Sequence, residues 1–381
     1  MAPHPTLPRA ASRTAPRATP PTGVSAEVAD ARRAVAARLR ATRRAGGRRG
    51  LLVTVVLVAL LAALLAASLL LDLGGRVAPA QVLPAAFGLR EGLADYVIHR
   101  VRVPRALTAL LAGGLFGLSG ALYQRLIRNP LATPDIVGIS AGAGAGAATV
   151  LLFAPAFAYG VQAAAVGGAF ALVTLVLLLS RSGGAVDTYR LVLVGIGMSA
   201  VCVAYVNYLF TVAGQQSIAQ VMRWLVGSTN DATWEGVHTL GYALAACGLC
   251  AALLGRPLNG LALGDQLAAG LGTRVAATRT ATLLLGAAAA ALATSVTGPI
   301  GFVSLISGPL AVRLVGADRA VAVAVPTGAV IVLGADVLAQ HAPLISPVPT
   351  GVLTALIGAP YFVWLILRRP RGPQGTPGAP S

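Results

Sequence analysis

The chain contains no lysine; all 29 of its basic residues are arginine. That absence excludes every function built on a lysine amine, among them a Walker A phosphate loop, a Schiff base and a lysine general base. Charge of either sign is scarce, at 11% of 381 residues, against about 25% in an ordinary soluble domain. Too little charge remains to coat a soluble surface of this size, so a single water-soluble globule, a disordered chain and a coiled-coil fibre are excluded. Cysteine is limited to Cys202, Cys247 and Cys250, each inside an apolar run. Cys247 and Cys250 have CxxC spacing, which suits a redox or metal pair. With no second pair and no nearby charge, the simpler assignment is three small core hydrophobes. Histidine is also sparse, at four residues; His99, His238 and His341 show no ligand spacing, and no metal site is expected. No Ser-His-Asp, paired-carboxylate or Cys-His set stands out, which argues against intramembrane hydrolysis.

What the chain has in abundance is apolar side chain, 56% of residues, with a mean hydropathy of +0.78. The simplest solvent for that composition is lipid. The net charge of +17 raises the possibility of a nucleic-acid partner. However, eleven arginines lie before residue 50 and the others sit mostly at the ends of apolar runs. A membrane protein distributes charge in this way, so no nucleic-acid partner is expected.

Residues 1–50 are rich in Ala, Pro, Arg and Thr and read as a disordered cytoplasmic tail, with a short basic helix around 26–44. Leu51–Leu71 follows without a charge; 21 residues at about 1.5 Å each span roughly one bilayer core. Its ten leucines and four valines favour insertion by on the order of 6 kcal/mol. Arg48-Arg49 can be taken as a twin-arginine signal, but the run is too long for a signal h-region, which favours an uncleaved first span. Further apolar runs lie at about 103–123, 136–153, 157–180, 191–213, 236–254, 280–297, 300–312, 321–341 and 351–367, ten in all with the first. With the amino-terminal tail inside, every inner connection carries arginine: Arg125 and Arg128, Arg181 and Arg190, Arg256 with Arg274 and Arg279, Arg313 and Arg319, then Arg368, Arg369 and Arg371. A short tail at 370–381 ends inside as well. The outer connection 74–102 is the exception, with Arg76, Arg90, Arg100 and Arg102.

Three segments are not ordinary spans. After span two, Asn129, Pro130 and Pro134 interrupt the helix, and Gly138, Gly142, Gly144 and Gly146 follow. This is either a Pro-rich turn before a tightly packed helix or a discontinuous element lining a pathway. The inner connection, about 257–279, carries Leu263, Leu267 and Leu271 at i, i+4, i+8, with Gly264, Gly270 and Gly272 cutting it into two pieces. It holds no aromatic residue and little charge, so docking into a partner's groove is favoured over lipid anchoring. The third segment begins Thr297-Gly298-Pro299 and continues to Gly308-Pro309. Its likeness to the first in opposite orientation suggests an inverted repeat. Asp336, within span nine, is either a functional acid or a buried polar contact holding helices together.

Several longer motifs occur in order: Arg102-Val103-Pro104-Arg105; Ser119-Gly120 with Gln124; Arg128-Asn129-Pro130-Leu131-Ala132; Trp224-Leu225-Val226-Gly227-Ser228; Leu263-Gly264-Asp265 to Leu271-Gly272; Gly298-Pro299-Ile300-Gly301-Phe302-Val303; Ala335-Asp336; and Gly351 to Pro360. Together they resemble the FecCD-type permeases, membrane subunits of ABC importers for iron–siderophore complexes, haem and cobalamin. The resemblance covers about residues 51–369. It implies an all-α, polytopic bundle of about ten transmembrane helices of the type II importer kind, in a bacterial cytoplasmic membrane with both termini inside. It implies a second permease subunit (a copy or a paralogue), two cytoplasmic ATPases and an external substrate-binding lipoprotein as partners. ATP and magnesium would sit on the ATPases, leaving this chain with no cofactor and no enzymatic site. By the same resemblance, Arg102 and Arg105 meet acids on the binding protein. Leu263, Gly264, Leu267, Leu271 and Gly272 form the ATPase coupling segment, and Asp187 and Thr188 the cytoplasmic gate. Three departures stand out: Gly308-Pro309 stands where the family often has Pro-His, Ser346-Pro347-Val348-Pro349 replaces an acid-bearing loop, and Gln340 lies where some relatives carry another arginine. The expected cargo is a ferric siderophore, with cobalamin or haem as the alternative. An ion-coupled secondary transporter is a third possibility, for which only Asp336 offers a coupling acid.

Overall fold

The structure, a computed structural model, describes residues 47–71, 84, 92–154, 160–182, 185–341 and 348–367. The expected basic helix at 26–44, the carboxy-terminal tail, Arg76, Arg90 and Ser346-Pro347 lie outside the described residues. Contacts divide the chain into Met1–Arg49 and Gly50–Ser381, and the packing below concerns the second unit.

Every expected apolar run appears as a helix. In chain order these are α1 (Gly47–Leu70), α2 (Val103–Ile127), α3 (Ile139–Phe153), α4 (Gly160–Leu179), α5 (Thr188–Val212), α6 (Gln215–Val226), α7 (Trp234–Leu261), α8 (Asp265–Gly270), α9 (Val275–Thr297), α10 (Val303–Val315), α11 (Ala320–His341) and α12 (Thr350–Leu367). Seven are long and apolar enough to cross a bilayer, and α2 does so with the helical residues before it. The apolar helices α3, α10 and α12 are shorter. At about 1.5 Å per residue, the 13 residues of α10 reach only about 20 Å. Such a half-helix is tolerated at membrane depth when protein surrounds it, and Val303 to Pro309 of α10 are almost wholly buried.

Sequence expectation and structure differ in three places. A π-helical stretch, Val97–Arg102, leads into α2 just before Pro104, which has no backbone N–H to donate to that turn. Helix α7 runs through Pro257 to Leu261 and α9 starts at Val275, so the connection is shorter than 257–279. The two expected helical pieces there are a single short helix, α8, between Gly264 at φ +104° and Gly272 at φ +83°. Helix α6 matches no expected span. It is amphipathic and too polar to register as membrane-spanning, and it packs through Val221, Leu225 and Trp224.

Helix α2 is the axis of the bundle. It packs on α11, α9, α10 and α7, and its whole length from Ala112 to Gln124 is buried. Burial on all sides explains why its sequence is apolar throughout rather than amphipathic. Glycine makes the contacts possible. A Cβ on Gly117 would lie 2.2 Å from the Ala324 carbonyl oxygen of α11, and one on Gly120 would lie 1.9 Å from that of Ser304 on α10. In lipid, where apolar surface gives no association drive, such close backbone approach supplies the packing. A second layer is formed by α3, α4 and α5, with α3 and α4 crossing at Gly142, Gly146 and Gly168.

Candidate functional site

Three assemblies of polar or exposed groups stand out against this apolar frame. The first lies where α2 and α12 begin and α11 nears its end. Asp336 of α11 is wholly buried. Its Oδ1 accepts from Arg105 Nη2 at 3.0 Å, and both carboxylate oxygens accept from Arg105 Nε at 3.1 Å. Thr350 Oγ1 donates to Oδ1 at 2.9 Å, Gln340 Nε2 donates to Oδ2 at 2.6 Å, and Thr229 completes the set. A carboxylate paired bidentately and bonded on its remaining lone pairs is the arrangement in which a buried charge is sustainable.

The node makes Asp336 a buried polar contact between helices. The Arg105 side chain is 16% exposed and its guanidinium is engaged by Asp336. Arg102 is half-buried and donates from Nη1 to the Leu69 carbonyl at 2.6 Å, satisfying an otherwise open acceptor at the end of α1. Thr229 and Thr350 were not legible as members of this node, since each is one hydroxyl among many. Only the fold brings them to Asp336.

The second assembly is a cavity of about 230 Å³ into which both helix breaks open. Pro134 and Asp135 come from the break after α2; Pro299, Ile300 and Gly301 come from the break between α9 and α10. The first break is set by Arg128 in the left-handed region at φ +56°, then by Asn129, whose Oδ1 accepts from the Leu131 amide at 2.9 Å, then by Pro130. The second turns at Gly298, where a Cβ would lie 2.3 Å from the Trp224 carbonyl oxygen. The breaks follow the carboxy-terminal ends of α2 and α9, far apart in the chain, yet they line one space. This joins Pro134 to Pro299 in space, although Asn129 and Gly298 are not among the lining residues.

The third assembly is at the arginine-rich end. Leu263, Leu267 and Leu271, on and beside α8, are 58%, 63% and 70% exposed, while Ala268 of α8 is fully buried. The segment is held in place by Asp265, which accepts from Arg279 Nη2 at 2.9 Å through both oxygens and lies 4.0 Å from Arg128. Asp187 caps α5 by accepting from the Arg190 amide at 2.9 Å, and Thr188 opens the helix; both are exposed beside the two-residue strand pair Arg181–Ser182 and Ala185–Val186. Among the described residues no group of three or more His, Cys, Asp or Glu side chains is placed to hold a metal ion.

Comparison with known proteins agrees with this geometry. A family model described as the FecCD transport family matches residues 55–368. The ferric enterobactin transport system permease protein FepG of Escherichia coli K12 is 34% identical over 77% of this chain and 88% of its own length. A siderophore transport system permease protein of Bacillus subtilis, YfhA, is 36% identical over 78% and 89% respectively. The hemin transport system permease protein HmuU of Yersinia pestis is 37% identical over 71% and 82%. A solved structure of a metal-chelate type ABC transporter, in an inward-facing conformation, superposes with a TM-score of 0.72 at 28% identity, covering 82% of this chain and 98% of that one.

Proposed function

The chain belongs to the FecCD transport family, a multi-pass transport component of the cytoplasmic membrane, and we propose that it is the permease subunit of an ABC importer that passes a ferric siderophore into the cell. It pairs with a second permease subunit, receives cargo from an external binding lipoprotein and is driven by two ATPases on its inner face. Both termini lie on that inner side. ATP and its magnesium ion bind the partners, and this chain carries no cofactor.

The observation that carries this reading is the exposed apolar edge of the α8 segment. Leu267 on α8, and Leu263 and Leu271 that flank it, are each more than half exposed, while buried Ala268 and the Asp265–Arg279 pair anchor the segment. Isolated apolar residues at a surface are unremarkable, but three within nine residues of a short, glycine-bounded segment form a docking ridge. A partner that binds the two states of the bundle with different affinity can shift it between them. Arginine at every described connection on that side supports its placement in the cytoplasm. Asp187 and Thr188, exposed at the same end, are assigned to the gate.

Siderophore cargo is favoured by the siderophore and ferric-chelate systems among the relatives. Haem is the second reading, because a hemin permease protein is 37% identical. Proteoliposomes containing this chain with its ATPase and binding protein test both. Radio-iron uptake as a siderophore complex should require internal ATP and resist excess hemin. Uptake driven by a proton gradient alone would reject the importer, and competition by hemin would reject the siderophore.

A further inference from the structure

We propose that the cleft between the inner ends of α2, α10 and α11 is a binding site for one anionic phospholipid. The cleft has a volume of about 410 Å³, and Arg125, Arg128, Arg313 and Asp318 are its ionisable lining residues. Three guanidinium groups face one carboxylate, so the site carries an excess of positive charge. Its other walls are almost entirely apolar, with Pro309, Val312 and Val321 prominent. This combination suits a headgroup phosphate attached to an acyl chain; a free anion would leave the apolar walls without a counterpart.

Depth and shape agree. Most lining residues come from the carboxy-terminal parts of α2 and α10 and the first turn of α11, and the rest from the adjoining turns. A helix end is where arginine meets the headgroups, and basic pockets between helices on the cytoplasmic side are suited to anionic headgroups. Gly308 and Pro309 line the cleft where α10 packs closely on Gln124 of α2, and Pro309 interrupts the α10 hydrogen-bond ladder.

The arginines are also pre-set. Arg125 donates to the Ala317 carbonyl at 2.6 Å and to the Asn259 side chain, while its buried Nε–H has no acceptor. Arg128 donates to the Leu261 carbonyl. Arg313 lies 4.4 Å from the Trp364 ring centre, and both Trp364 and Val312 keep more than a third of their surface exposed. An apolar rim with a tryptophan at helix-end depth is typical of the bilayer interface. A phosphate held between these arginines would tie the end of α2 to α10, with α11 supplying apolar wall through Ala320 and Val321. The proposal does not depend on the identity of the cargo.

The test is quenching of Trp364 fluorescence, taken as the difference between the full-length chain and its Trp364→Phe variant, in vesicles with brominated acyl chains. Brominated phosphatidylglycerol should be preferred over brominated phosphatidylcholine on the order of fivefold, the effect of about one engaged arginine. Arg125→Gln with Arg313→Gln should bring the preference close to one, whereas Asp318→Asn should raise it. Arg256→Gln with Arg274→Gln, at the same end but outside the cleft, should leave it unchanged. Equal quenching by the two lipids in the wild-type chain would overturn the proposal. So would an equal loss in the Arg256/Arg274 variant, which would indicate general surface attraction. Relief by inorganic phosphate would indicate a free-anion site, and relief by the purified ATPase would assign the cleft to that partner; either result also overturns it.

Discussion

Asp336 has no exposed surface, and at that depth an unpaired carboxylate costs several kcal/mol. Arg105, Thr229, Thr350 and Gln340 account for both of its oxygens. Asp336→Asn would strand the Arg105 charge and should lower the stability of the detergent-solubilised chain by about 3–5 kcal/mol, seen as a loss of thermal midpoint. Adding Arg105→Gln should recover part of that loss, and the double-mutant cycle measures the coupling. Arg105→Glu would place two carboxylates in one buried site and should unfold the outer end of the bundle, so loss of binding-protein contact in that variant would say nothing about docking. The sequence marked both residues as unusual, one as an acid inside a span and the other as an outer arginine. It did not reveal that they are partners, because 231 positions separate them and no local pattern joins them.

Among the elements, α2 and α11 show how little slack the packing leaves. Gly117→Val would push side-chain atoms into the Ala324 backbone at a crossing with no room for a Cβ. It should cost at least about 1–3 kcal/mol, the usual penalty of overpacking, whereas the same change at half-buried Gly248, where an added Cβ would meet no atom within 4 Å, should cost little beyond helix propensity. Thermal unfolding of the two variants side by side checks this. Helix α8 poses the opposite case, where backbone conformation and not space is limiting. Gly264 (φ +104°, ψ +154°) occupies a region that other residues adopt only with strain of order 1–3 kcal/mol. Gly264→Val should therefore misplace the leucines and weaken ATPase binding while the helices remain intact by circular dichroism.

The long helices were legible because each is an apolar run of bilayer length bounded by arginine or proline. Helix α6 was not, because a search for apolar runs passes over twelve mixed residues. Its signal was Ile218, Val221 and Leu225 at i, i+3, i+7, a helical stripe of which Val221 is fully buried. The glycine-broken pair expected near residue 264 became one helix because Gly270 ends it and Gly272 turns the chain away.

At the scale of the whole molecule, the bundle divides the work between its two ends. One end, which the proposed topology places outside, holds the Asp336 node and Trp234, which donates to the His99 carbonyl at 2.8 Å. The inner end presents exposed leucine and arginine. Between them, two helix breaks converge on one cavity, so the interior has backbone able to rearrange without breaking a continuous helix. Helix α5 leaves Leu193, Ile196 and Tyr208 each more than half exposed, a face for lipid or the second permease subunit. The central claim is that movement enters this frame from outside the chain, through the α8 ridge. The most direct test is siderophore uptake by the fully assembled complex carrying Leu267→Asp with Leu271→Asp, compared with wild type at matched expression and thermal stability. Uptake should fall at least about tenfold, the effect of losing one well-buried apolar contact, with ATP hydrolysis continuing uncoupled or its subunit lost from the complex. Uptake at the wild-type rate would contradict the claim.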